Sequence, residues 1–145
     1  MRMQDIPIET YDDDRLPWGD VRLWLALALA VIFVLLGLLF VLAPDAGAAL
    51  FGLSAQISET LSYVVALGIR DIVLGGLIGA MAFQGRRPLA VLLAVSAIIP
   101  LFDVLLVASV EGFSSILNLL VHAFAGGVLA TLSIMLFRTK PRRAL

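Results

Sequence analysis

The chain is built from long apolar stretches separated by short polar breaks. From Leu23 to Ala43 every residue is apolar. As a helix rising about 1.5 Å per residue, that stretch extends roughly 31 Å, close to the ~30 Å hydrocarbon thickness of a bilayer. Pro44 ends it, because proline cannot continue the hydrogen-bond ladder. Three more stretches follow, and the pattern predicts membrane-spanning helices at about 21–43, 60–83, 89–110 and 114–137. The expected fold is all-α, an integral membrane four-helix bundle spanning 21–137, between a polar acidic tail at 1–20 and a basic tail at 138–145. The connection from Pro44 to Ser58 is apolar in its middle but too short to span, and is expected as a short helix at the interface. Ser58-Glu59-Thr60 offers an N-cap region for the second span. Gln84-Gly85-Arg86-Arg87-Pro88 reads as a tight basic turn, and Pro100 as a kink in the third span.

Composition agrees with this reading. Of 145 residues, 61% are hydrophobic, and mean hydropathy is +1.07. Soluble domains are about half apolar, so lipid is the natural solvent for this chain. The net charge of -1 favours no nucleic acid partner. The absence of cysteine excludes disulfides and thiolate metal sites. The first twenty residues are polar and acidic, unlike the basic start of a cleavable signal peptide, so the first apolar run is expected to stay as a span.

Charge segregation predicts orientation. Arg2, Arg15 and Arg22 precede the first span, Arg86 and Arg87 join the second to the third, and Arg138, Lys140, Arg142 and Arg143 follow the fourth. Every basic residue except Arg70 thus falls on one side of a four-span chain. The positive-inside rule makes that side, with both termini, cytoplasmic, and the expected location is the cell membrane. Trp18 and Trp24 stand at the start of the first span, where amphipathic rings prefer the headgroup level.

The exceptions inside the spans carry the chemistry. Arg70 and Asp71 lie in the second span, Asp103 in the third, Asn118 and His122 in the fourth. An arginine or aspartate at a helix centre costs about 2.5–3.5 kcal/mol on insertion scales, so something must offset it. Arg70, Asp103 and His122 each stand about 15 residues from the basic helix end, roughly 22–24 Å along the axis, which places them at one level in the far half of the bilayer. Arg70 and Asp71 point about 100° apart on their helix. The expected pairs are therefore Arg70 with Asp103 and Asp71 with His122, and Asn118 shares the His122 face. Asp71, Asp103 and His122 suit a metal in ligand type, but with one histidine and no cysteine no metal or cofactor is expected. Gly75-x-x-x-Gly79 and Gly126-Gly127 read as small-residue packing faces. The equal offsets of Asp71 to Gly75-Gly76 and of His122 to Gly126-Gly127 hint at a repeated helical hairpin.

The element Gly68-Ile-Arg-Asp-Ile-Val-Leu-Gly75 is distinctive, as is its order with Gly85-Arg86-Arg87, Pro100-x-x-Asp103 and His122. With Pro44 and Phe51-Gly52 it resembles the small membrane proteins of the domain of unknown function 4267 family, over about residues 25–137. The resemblance implies a four-helix membrane bundle with polar positions at Arg70, Asp71, Asp103 and His122, and names no substrate. The acidic N-terminus stands outside the shared pattern. Small multidrug transporters are not resembled, since they carry a membrane glutamate in the first span and none is present here.

Three functions fit these residues. The cluster could bind or act on a lipid-soluble molecule, with Asp71 and His122 as acid–base pair and Arg70 holding an oxygen. It could serve only as glue in a structural or partner-binding protein. It could carry protons in a transporter, although nothing polar continues from it towards the basic side. The expected partners are the lipid bilayer, a hydrophobic small molecule and a second copy of the chain.

Overall fold

A computed structural model describes residues 14–52 and 58–138, and the secondary structure among them is helical, without strands. The elements are α1 (Val21–Leu42), α2 (Pro44–Phe51), α3 (Ser58–Gln84), α4 (Arg86–Ser96), α5 (Ile98–Glu111) and, after a 3-10 turn at Gly112–Ser115, α6 (Ile116–Arg138). Four segments are long and apolar enough to cross a membrane: Val21–Leu42, Leu61–Gln84, Arg86–Val110 and Ile116–Arg138. The third is α4 followed by α5. The helix yields at Ala97 because Pro100 has no N–H to return to the Ser96 carbonyl, and its ring crowds that turn.

The tightest packing is α1 on α3. Two small residues on each helix, about two turns apart, face each other: Gly37 against Gly68, and Ala30 against Gly75. A side chain at Gly37 would come within 2.5 Å of the Gly68 carbonyl oxygen, and one at Gly75 within 2.6 Å of the Ala30 carbonyl oxygen. In lipid, where burial of apolar surface does not drive helices together, such close backbone approach supplies the attraction. The seam uses Gly75 but not the expected Gly75–Gly79 face, since Gly79 barely reaches Ala30 and Gly76 points into open space. On the other side α6 packs along both α4 and α5. Ser133 Oγ donates to the Ala90 carbonyl at 2.8 Å, and Gly126 lies against Pro100.

The acidic tail, expected as solvated through residue 20, is part of the fold from Asp14 onward; residues 1–13 lie outside the described residues, as do 139–145 of the basic tail. Leu16 is buried with Leu23, Ala82 and Leu89 at the basic end of the bundle. Asp14 caps α4 from across the chain. Its carbonyl accepts from Arg86 N at 2.7 Å, its carboxylate accepts from Arg87 N at 2.8 Å, and the same carboxylate binds the buried Arg86 guanidinium at 2.9 Å. Pro88 has no N–H, and Leu89 N donates to Gly85 O. The first turn of α4 therefore leaves no donor unmatched, which is why the third span begins at Arg86 and not at residue 89. Asp14→Ala removes the cap and the Arg86 partner together. It is expected to lower stability by about 1–2 kcal/mol, read as a fall in the thermal midpoint in detergent, with Asp14→Asn retaining part of the cap.

Candidate functional site

In the half of the bundle away from the basic turn, three helices contribute polar side chains to one cluster. Arg70 comes from α3, about four turns before the end of that helix. Its guanidinium reaches two carboxylates. Nε donates to Asp71 Oδ1 at 2.9 Å on the same helix. The two terminal nitrogens donate to the two oxygens of Asp103 on α5, at 3.2 and 3.4 Å. The fork geometry of arginine makes this double reach possible; a lysine ammonium has no such pair of parallel donors. Asp71 and Asp103 are buried, whereas the Arg70 side chain keeps 30% of its surface exposed.

His122 on α6 completes the group. Its Nδ1 faces Asp103 Oδ2 at 4.0 Å. Its Nε2 lies 3.0 Å from the carbonyl oxygen of Phe51, the last residue of α2. The two rings pack with centroids 4.5 Å apart, and Phe40 meets Phe51 edge-on. The chain leaves α2 through Gly52, whose φ of 96° is left-handed, a geometry that glycine adopts without strain. Gly52 is also required for space, since a side chain there would come within 2.5 Å of Asn118 Nδ2. One turn towards the basic end, the Gly126–Pro100 contact holds α6 close to α5, and this sets the separation of His122 from Asp103.

The structure thus brings Arg70, Asp71, Asp103 and His122 together and places Asn118 beside them, against Gly52. The pairing differs from expectation in two ways. Asp71 bonds to its neighbour Arg70, because the long arginine side chain bends back across its own helix surface and the ~100° between Cβ directions is no obstacle. His122 meets Asp103 and a backbone carbonyl, not Asp71. Sequence reasoning missed Phe51 altogether. A backbone acceptor leaves no mark of residue type, and only the Phe51-Gly52 step, a helix end followed by glycine, signalled a turn there.

Chemically the cluster is closed on itself. The cation is shared by two anions, and among the described residues no buried side-chain polar atom lacks a partner. None of the described residues forms a group of His, Cys, Asp and Glu arranged to hold a metal. A recess lies away from the cluster, between α1 and α6. It measures ≈ 460 Å³ and is lined by Leu25, Leu29 and Ile32 from α1 and by Phe124, Gly127 and Thr131 from α6, among others. It forms where those two helices touch least, open to the side of the bundle.

No curated protein and no solved structure matches the chain. A family model does, over residues 30–136, more than half of the 145 residues, and it covers α2, the α1–α3 seam and all four cluster residues. The chain is therefore a multi-pass membrane protein that belongs to the family described as domain of unknown function (DUF4267).

Proposed function

We propose that this protein binds the acyl chain of a lipid-soluble molecule in the recess between α1 and α6, with the charged cluster fixing the helices that frame it. The observation that carries this reading is the recess itself. Its volume of ≈ 460 Å³ falls in the range of small-molecule sites, about 300–1,000 Å³. Its walls are aliphatic and aromatic apart from the Thr131 hydroxyl. Because it opens sideways from a membrane-spanning bundle, an occupant enters from the bilayer and must itself be apolar. In this reading the basic end faces the cytoplasm, as the partition of lysine and arginine supports.

Gly127 permits a direct test. Nothing lies within 4 Å of a Cβ added there, and Gly127 lines the recess, so Gly127→Leu places its side chain in that space. The full chain in lipid nanodiscs is labelled with a photoreactive palmitate analogue. Adducts are expected on the α1 and α6 recess walls, reduced about tenfold by Gly127→Leu, a loss of roughly 1.4 kcal/mol, with the thermal midpoint unchanged. Labelling spread equally over other lipid-facing residues, such as Val73 and Val95, would show ordinary annular lipid and refute the reading.

A second reading is that the protein is structural and the cluster is only a clasp. The complete internal pairing of Arg70 favours it. It predicts no preference for the recess in the same labelling experiment.

A further inference from the structure

His122 is the single histidine of the chain, and its two nitrogens face groups that make different demands. Phe51 O, 3.0 Å from Nε2, can only accept, so Nε2 carries a hydrogen and donates it. That leaves Nδ1 turned towards Asp103 Oδ2 at 4.0 Å. If the ring holds no second proton and Asp103 is ionised, two lone pairs face one another across that gap, with 13% and 10% of the two side chains exposed. One proton removes the conflict. It resides either on Nδ1, making an imidazolium opposite a carboxylate, or on Asp103, making an acid opposite a ring acceptor.

The charges of the whole cluster require the same proton. Arg70 contributes one positive charge, and Asp71 and Asp103 contribute two negative ones. With a neutral imidazole the sum is one negative charge inside the span, and with one added proton it is zero. The groups that face His122 can be named by element. From α2 come the Phe51 carbonyl and ring; from α3, Arg70 and Asp71; from α5, Asp103; and on α6 itself, Asn118 one turn earlier. The ionisable residues of α1 and α4, namely Arg22, Arg86 and Arg87, lie at the other end of the bundle.

We propose that His122 and Asp103 form a binding site for one exchangeable proton within the membrane, and that this proton ties α6 to α5. No bond other than the N–H or O–H is made or broken; the proton comes from water and returns to it. The site is independent of any occupant of the α1–α6 recess, so the two ideas stand or fall separately.

The test uses the full chain in lipid nanodiscs, labelled with 15N-histidine and 13C-aspartate. Because there is one histidine, its two nitrogen resonances need no assignment by mutation. At neutral pH the spectrum is expected to show either both ring nitrogens protonated, or hydrogen on Nε2 alone together with a carboxylic acid resonance in dipolar contact with Nδ1. A ring protonated only at Nε2 with every aspartate ionised would overturn the proposal, as would hydrogen on Nδ1 alone. In Asp103→Asn the acid resonance should vanish; its persistence would move the proton to Asp71 and likewise refute the site. Should that variant fail to fold, the Nδ1–carboxyl contact in the unmodified protein decides the same point.

Discussion

Replacing Arg70 with methionine is expected to destabilise the bundle by about 3–5 kcal/mol, the usual consequence of removing one partner from a buried charge pair. Asp71 and Asp103 keep only 6% and 10% of their side-chain surface exposed. Without the guanidinium they are left as two neighbouring carboxylates in a site that lipid surrounds. The size of the loss separates two physical pictures. Neutral hydrogen bonds between membrane helices are worth about 0.6 kcal/mol on average and at most roughly 2. A loss well above that means that charge, and not hydrogen-bond geometry, dominates. The check is reversible unfolding in mixed detergent micelles. Adding Asp71→Asn and Asp103→Asn to Arg70→Met removes the uncompensated charges and is expected to recover much of the loss, so the three changes should be strongly non-additive. A loss of under about 1 kcal/mol for Arg70→Met alone would show that water reaches the cluster and screens it.

The cluster and the recess lie on different parts of the same bundle, and their chemistry differs accordingly. Arg70 pairs with both Asp71 and Asp103 in the half of the spans away from the basic turn, and His122 stands beside Asp103. The recess between Leu25–Ile32 and Phe124–Thr131 lies nearer the basic end of α1 and the middle of α6, with hydrocarbon on nearly every wall. A charged ligand group that entered at the cluster would have to break an existing ion pair. An apolar chain that entered the recess displaces nothing but lipid. This contrast is why the functional reading rests on the recess, while the cluster is assigned to holding helices and a proton.

Much of this was legible from residue types alone. Four spans follow from apolar length, and the common level of Arg70, Asp103 and His122 follows from counting along helices of fixed rise. The Arg70–Asp103 contact follows from that level and from the need to pair a buried charge. What could not be read depends on backbone or on distant partners. Asp14 is one acidic residue among several in the N-terminal stretch, and nothing in its neighbourhood marks it as the cap of a helix that begins at Arg86. The Phe51 carbonyl becomes a partner of His122 only because α2 turns its C-terminal end onto the bundle. Glycine pairs mislead for a related reason. Gly126-Gly127 looks like one packing face, yet Gly126 touches Pro100 while Gly127 opens into the recess. Adjacent helical residues point in different directions, and only the position of the neighbouring helix decides which of them is packed.

The α1–α3 seam offers the second large effect. Gly68→Ala places a methyl group 2.7 Å from the Gly37 carbonyl oxygen and 2.8 Å from Phe40 Cβ, closer than such atoms can approach. The obstacle at Gly37 is backbone, which cannot rotate aside as a long side chain could. The two helices must therefore separate, and separation at Gly68 also loosens the Gly75–Ala30 contact two turns away. Overpacking of this kind costs about 1–3 kcal/mol, and the rigid obstacle places Gly68→Ala at the upper end, about 3 kcal/mol. Gly37→Ala should match it, because its added methyl meets the Gly68 carbonyl oxygen from the other side. Gly76→Ala is the control. It lies one residue from Gly75 on the same helix but faces open space, so only backbone propensity acts, and alanine favours a helix interior by up to about 1 kcal/mol. Thermal unfolding of the three variants in one detergent compares them directly. The seam requires a large fall for Gly68→Ala and Gly37→Ala and none for Gly76→Ala. Equal effects at all three would mean that α1 and α3 do not meet at these glycines, and the frame that positions Arg70 would have to be redrawn.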